Sequence, residues 1–315
     1  MKIVVLDAKT LGDVDLAELK KFGSLALYQY TKPDDTAARI SDADIIITNK
    51  VVINKNVIDQ CNTLKLICVA ATGMNNIDLA YAKEKGIVVK NVQGYATESV
   101  VQHTLAMIFT LLNHIPKYDA FVKKKAYSRS NIFTNHSWPI RQLSSMTIGI
   151  IGLGNIGLRM ATISQALGAK VVYYSTSGKN VNQPFTLLPL EELLAVSDIV
   201  SIHAPLNEQT RHLIKYPQLK KMKPSAILVN TGRGGIIHER DLARALEEDL
   251  IAAAALDVFE QEPIAEDNPL MLITNKEKLL LSPHIAWASI EARHTLVKSL
   301  VQNIEDFLLV SHKNI

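Results

Sequence analysis

The chain has 315 residues, 48% of them hydrophobic, which is material for about two domains with separate cores. Its 34 basic and 31 acidic residues leave a formal charge of +3, and the basic clusters at 123–125 and 220–223 are too short to suggest nucleic acid as a partner. No apolar run approaches the roughly 18 residues of a membrane span, and the two cysteines, Cys61 and Cys68, with a strand in place of a leader at the N-terminus, point to a reduced cytoplasm.

From Lys2 the apolar runs KIVVLDA, SLALYQY, ADIIITN, LKLICVAA and IVVKN alternate with the amphipathic stretches DLAELKKFG, DDTAARISD, KNVIDQC and DLAYAKEKG. Short runs of Val, Ile and Leu between helically spaced segments predict parallel strands with helices on both faces, here a first lobe over residues 1–97. Next, TESVVQHTLAMIFTLLNHIPKYDAFVKKKAY carries Val100, Val101, Leu105, Ile108, Leu111 and Leu112 at three- and four-residue steps, which predicts a long linking helix. Residues 128–145 have no period and read as a loop with a polar surface. The alternation restarts with TIGIIGL, KVVYY, DIVSIHAP, AILVNTG and IAAAALDVF, a second doubly wound sheet over 98–288. The final stretch, IEARHTLVKSLVQNIEDFLLV, is one amphipathic helix, assigned with residues 289–315 to the first lobe.

The segment GIIGLGNIG places Gly152, Gly154 and Gly157 after a strand and at the start of a helix. In a G-x-G-x-x-G the first glycine makes the tight turn, the second lets backbone approach a pyrophosphate, and the third lets helix and strand pack closely. The N–H groups of Gly154, Asn155 and Ile156, with the helix dipole, favour phosphate. A dinucleotide is the expected ligand. No Cys/His cluster has metal-ligand spacing, so no catalytic metal is expected.

IGLGNIG, HAPLNEQT, VNTGRGG, ALDVFEQEP and LSPHIAWAS, in that order, resemble the D-isomer-specific 2-hydroxyacid dehydrogenases along essentially the whole chain. VLDAKTLG, ATGMNNID, ATESVVQHT and PHIAWAS look most similar to the glycerate dehydrogenase and hydroxypyruvate reductase branch. The resemblance implies an α/β fold of two doubly wound parallel-sheet lobes, a flavodoxin-like substrate lobe and a Rossmann cofactor lobe, with the active site in the cleft and a homodimer as the assembly. It implies NAD(P)H-dependent reduction of a small 2-keto acid, hydroxypyruvate or glyoxylate, to the D-2-hydroxy acid. Arg233 matches the substrate-binding arginine, whose planar fork can pair with carboxylate and ketone oxygens together. His284 matches the proton donor and Glu262 the carboxylate beside it, an anion that favours the imidazolium. Asp257 matches an acid near the nicotinamide carboxamide, with loop capping as the other reading. Thr72 and Gly73 match the turn that receives the substrate carboxylate, and Trp287 could cap the substrate pocket. Thr97, Val101, His203, Pro205, Thr210 and Thr231 match cofactor-contacting positions, although core packing serves Val101 equally well. Gln102 stands where many members carry Glu, and it is assigned no role.

Ser175, eighteen positions beyond Gly157 in VVYYSTSGKN, stands where NAD-preferring relatives usually carry Asp. A carboxylate there binds the ribose and repels a 2′-phosphate, so its absence makes the site permissive to NADPH. Ser175, Thr176 and Ser177 offer hydroxyls and Lys179 a positive charge, but the stretch lacks arginine, the usual phosphate clamp. The balance favours NADPH about two to one, with dual use of NADH open. The alternatives are another branch, of D-lactate or phosphoglycerate type, and a non-catalytic NAD(H)-sensing protein on the same fold. The phosphoglycerate type is disfavoured because no regulatory domain follows Ile315.

Overall fold

The computed structural model describes residues 1–312, and the chain divides into two compact units, Met1–Ala96 with Ala288 onward, and Thr97–Trp287. In the first, β1 (Lys2–Val5), β2 (Ser24–Leu27), β3 (Ile45–Thr48), β4 (Leu66–Val69) and β5 (Val88–Lys90) form an all-parallel sheet in the order β2-β1-β3-β4-β5. Every residue of β3 and β4 is buried, the expected consequence of a parallel sheet covered on both faces. Val4, Leu6, Ile46, Ile67 and Val69 build one core with Ile40, Ile58, Ile77 and Tyr81 from the flanking segments. Where β1 and β3 end, the buried Asp7 carboxylate accepts the backbone N–H groups of Asn49 and Lys50, so a buried charge is paired with the donors that the sheet edge leaves free. The Ile290–His312 helix packs on β4; Arg293 Nη1 donates to Leu11 O (3.3 Å) and Asn303 Nδ2 to Asn91 O (3.0 Å).

The second unit holds seven parallel strands: β6 (Thr147–Ile151), β7 (Lys170–Tyr174), β8 (Thr186–Leu187), β9 (Ile199–Ile202), β10 (Ile227–Asn230), β11 (Ala253–Leu256) and β12 (Leu279–Leu281). Their order is β12-β11-β10-β9-β6-β7-β8. Chain direction across the sheet reverses between β6 and β9, and such a switch point leaves a crevice beyond the carboxyl ends of the strands. Successive residues face opposite cores: Leu228 packs with Val200 and Ile202, Val229 with Ile148 and Ile150.

Two expectations need correction. The linking segment is two helices, Thr97–Asn113 and Ile115–Lys123, separated by His114 in the left-handed region (φ 50). Pro116 is the cause: its ring would strike the carbonyl four residues back, and it has no N–H to continue the ladder. The apolar periodicity runs through the break because helix propensity alone does not register that clash. Residues 128–145 are mostly loop, with short 3-10 turns at Tyr127–Arg129 and Leu143–Ser145, and their surface is polar only in part: Ser128, Arg129, Ser130, Asn131, His136, Arg141 and Gln142 are exposed, but so are large apolar side chains. Phe133 is 89% exposed, and Ile132 and Ile140 are exposed beside it, since an aperiodic segment has no inner face on which to hide them.

Candidate active site

The turn after β6 is shaped by what its glycines exclude. Gly152 has φ +90 and donates its N–H to Tyr174 O at 2.9 Å; a Cβ there would lie 2.9 Å from His203 O. A Cβ on Gly157 would come within 2.1 Å of Gly152 O, so the Asn155–Ala166 helix can sit this close to the strand only with glycine. At Gly154, the N-cap, a Cβ would meet nothing within 4 Å, and no side chain caps the helix. The first helical N–H groups therefore face an open approach, an arrangement suited to an anion.

Both neighbours of β6 place a buried, unpartnered polar atom beside this turn. Ser175 follows β7, and its Oγ is buried without a hydrogen-bond partner. His203 follows β9, donates its N–H to Ile151 O at 2.8 Å and pairs Nε2 with Ser201 Oγ at 2.9 Å, while Nδ1 is buried with none. The residue keeps some exposed surface, but the ring nitrogens do not, and burial lowers the imidazole pKa from 6.5 to about 4. His203 is thus neutral near pH 7 and offers a hydrogen bond without charge. Because the unfolded chain takes up this proton near 6.5 and the folded one only near 4, the stabilising contribution is complete above the first value and lost as pH falls toward the second. His203→Gln should therefore flatten the fall in thermal stability between pH 7 and pH 4, by up to about 3 kcal/mol; unchanged acid sensitivity in melting curves would refute this.

The three residues expected to carry the chemistry leave adjacent parallel strands at the same edge, since Asn230 is in register with Leu256 and Leu256 with Leu281. Arg233 lies three residues past β10, half-buried, its Nη1 donating to Gly232 O at 2.8 Å. Asn230 braces that turn from both sides, donating Nδ2–H to Arg233 O at 2.9 Å and accepting Gly232 N–H at 3.0 Å. Glu262, past β11, accepts the Phe259 N–H through Oε1 at 3.0 Å, and its Oε2 lies 2.6 Å from His284 Nδ1. His284, three residues past β12, has φ 55. The carboxylate fixes Nδ1 as the hydrogen-bonded nitrogen and leaves Nε2 for proton exchange.

The remaining expected residues are distributed as follows. Thr231 Oγ1 is buried and bonded to Thr104 Oγ1 at 2.8 Å, and Val101 is buried in the core of the sheet. Thr97 opens its helix. Thr210 holds the turn after β9 together, donating to Pro205 O at 2.6 Å and accepting Asn207 N–H at 2.8 Å, with Pro205 exposed. Asp257 is 1% exposed, and its carboxylate accepts Ser282 Oγ–H, Ile285 N–H and Ala286 N–H at 2.5, 2.9 and 2.8 Å: a loop cap. Thr176 is half-buried, Ser177 and Lys179 are exposed, and Trp287 is half-buried. Within the first unit, Thr72 donates Oγ1–H to Val92 O at 3.0 Å in the turn beyond β4, with Gly73 next to it. Ser99 and His103, to which sequence reasoning gave no role, contact the loop that bears His284, at Ala286 and at Ser282. Among the described residues no group of three or more His, Cys, Asp or Glu could hold a metal, and no helix is long and apolar enough to cross a membrane.

Residues 105–286 match the family model described as D-isomer specific 2-hydroxyacid dehydrogenase, NAD binding domain. The hydroxypyruvate reductase of Blautia hydrogenotrophica is 37% identical over 322 residues, covering 100% of this chain and 99% of that protein. The glycerate dehydrogenase of Methylorubrum extorquens is 36% identical over 315 residues, covering 100% and 98%. Among solved structures, an acyclic imino acid reductase, Bsp5, in complex with NADPH and D-Arg matches with TM-score 0.87 at 30% identity, covering 98% of this chain and 97% of that one. The chain belongs to the D-isomer specific 2-hydroxyacid dehydrogenases, and its second unit carries their NAD binding domain.

Proposed function

We propose that the protein reduces hydroxypyruvate or glyoxylate to D-glycerate or glycolate with NAD(P)H. The observation that carries this reading is the 2.6 Å His284–Glu262 pair, on the same strand edge as Arg233 and the glycine turn. The relatives named hydroxypyruvate reductase and glycerate dehydrogenase supply the substrate class.

The residues fit a dinucleotide. The open approach at Gly154 and the orphaned atoms Ser175 Oγ and His203 Nδ1 would receive pyrophosphate and adenosine, with the N–H groups of Asn155 and Ile156 facing the phosphates and Gly152 and Gly157 keeping the turn tight. A reduced nicotinamide supplies the hydride for C2 of the keto acid. Arg233 pairs with the substrate carboxylate and polarises the ketone, and His284 gives its Nε2 proton to the alkoxide oxygen as charge develops there. Glu262 holds the ring and balances the imidazolium. Thr72 and Gly73 present backbone N–H groups to a carboxylate, and Trp287 restricts the substrate to a small one. Thr97, Pro205, Thr210 and Thr231 belong to the shell that holds the cofactor-binding turns, with Val101 packed beneath, and Asp257 holds the loop that presents His284 to the nicotinamide. The cytoplasm fits two free, buried thiols. The homodimer is built through the second unit's exposed apolar segment, where Ile115, Val122, Ile132, Phe133 and Ile140 stand in the open; a sedimentation mass of a monomer would exclude it.

NADPH serves at least as well as NADH. The tip of β7 carries no carboxylate, and Lys179 is exposed and, among the described residues, without an ion pair. The test is the initial rate of NADPH and NADH oxidation with hydroxypyruvate, then glyoxylate. Turnover of both acids with NADPH at least as fast is the expected result. No turnover with either cofactor overturns the function; a strong NADH preference overturns only the reading of Ser175, Thr176, Ser177 and Lys179.

A further inference from the structure

His284 is a non-glycine residue in the left-handed region (φ 55), a conformation that persists only where its surroundings over-determine it. What holds it is the Asp257 strand end. Asp257 O accepts the His284 N–H at 2.8 Å, and the Asp257 carboxylate accepts the next two N–H groups, of Ile285 and Ala286, together with the Ser282 hydroxyl. That hydroxyl has one proton, and at 2.5 Å from Asp257 Oδ1 it is committed there. Its oxygen must then accept from His103, whose Nε2 lies 2.9 Å away, so His103 carries its proton on Nε2. One turn earlier on the same helix, Ser99 Oγ donates to Ala286 O at 2.6 Å. Two side chains of one helix face thus grip the loop at Ser282 and at Ala286, on either side of His284.

We propose that His103 is a positioning residue for the reaction: by donating to Ser282 it holds the Ser282–Asp257 clamp, and through it the left-handed backbone that aims His284. The inference rests on the reading of His284 as proton donor. Without the His103 donor the Ser282 hydroxyl can turn away from the carboxylate, which loosens the two N–H bonds, of Ile285 and Ala286, that follow the strained residue. The effect falls on the proton transfer and leaves ground-state binding alone, because neither His103 nor Ser282 belongs to the glycine turn or the Arg233 turn.

The experiment compares His103→Leu, His103→Gln, Ser282→Ala and the double variant His103→Leu/Ser282→Ala, with His284→Ala as control. Glutamine places an N–H at about the reach of Nε2; leucine cannot donate. His103→Leu and Ser282→Ala should each lower kcat about tenfold, with KM for the keto acid and the NADPH dissociation constant, read by fluorescence titration, within about twofold of the parent. His103→Gln should recover most of the loss, and the double variant should be no worse than the poorer single one, because both break one chain. Full kcat in His103→Leu, no recovery in His103→Gln, or multiplied losses in the double variant overturns the proposal. If the leucine variant does not fold, His103→Asn, whose amide is too short to reach Ser282, replaces it. Turnover retained by His284→Ala would sink the proton-donor reading itself; an inactive His284→Ala beside an undiminished His103→Leu would sink only the positioning role.

Discussion

His284→Ala is expected to lower kcat for keto-acid reduction by about a hundred- to ten-thousandfold, the usual worth of a positioned general acid, while the NADPH dissociation constant stays within about twofold. The two outcomes separate in space. The ring is held by Glu262 beyond β11 at 2.6 Å, whereas the glycine turn lies beyond β6, three strands away in the sheet order. Removing the imidazole takes away the proton at the alkoxide oxygen and leaves the phosphate-facing N–H groups as they were. Glu262→Gln should be milder, because glutamine still accepts from Nδ1 but no longer offers a charge to the imidazolium. Measurement of kcat together with cofactor affinity decides the matter. Parallel loss of both would mean that His284 supports the fold of the site, and loss of neither would mean that another group gives the proton to the alkoxide oxygen.

Arg233→Lys is expected to cut kcat/KM about a hundredfold, and Arg233→Ala roughly thirtyfold to several thousandfold, which is the 2–5 kcal/mol lost when one partner of a hydrogen-bonded charge pair is removed. Lysine keeps the charge and loses the fork, so the loss from parent to lysine measures the geometry, and the gap between the two variants measures the charge. The scaffold is already committed to that geometry. Asn230 fastens both ends of the turn, at 2.9 and 3.0 Å, and the guanidinium is itself anchored to Gly232 O at 2.8 Å. Steady-state kinetics across hydroxypyruvate concentrations is the check; a lysine variant equal to the parent would mean that a point charge suffices.

The strands and the glycine turn were legible because their physics is local. A run such as IVSI or AAAL between helical segments has few other ways to bury itself, and glycine spacing encodes close approach. Arg233, Glu262 and His284 were legible only through family motifs, since nothing in the spacing of one arginine, one glutamate and one histidine along 52 residues says that β10, β11 and β12 end side by side. The break at His114 was missed because apolar periodicity outweighed Pro116 in the reading, although the proline was the better signal. The exposed Phe133 was missed because aperiodicity indicates loop without indicating which side chains it leaves outside. Ser99 and His103 carried a trace of their role, four residues apart on one helix face, but the loop they grip is almost two hundred residues later in the chain.

The Ile290–His312 helix has a consequence for biosynthesis. Leu296, Val297, Leu300, Val301 and Ile304 are all buried on it, each worth about 1.5–3 kcal/mol when removed from water. The five-stranded sheet leaves the ribosome before the second unit, but the helix that packs on β4 is translated only after the entire second unit. Until then the nascent sheet has one apolar face uncovered, so the second unit, continuous in the chain, can complete its fold before the first, which is finished only once that helix has emerged. A premature stop between His284 and Ile290 would leave Arg233, Glu262 and His284 in a chain whose N-terminal half is unfinished and aggregation-prone.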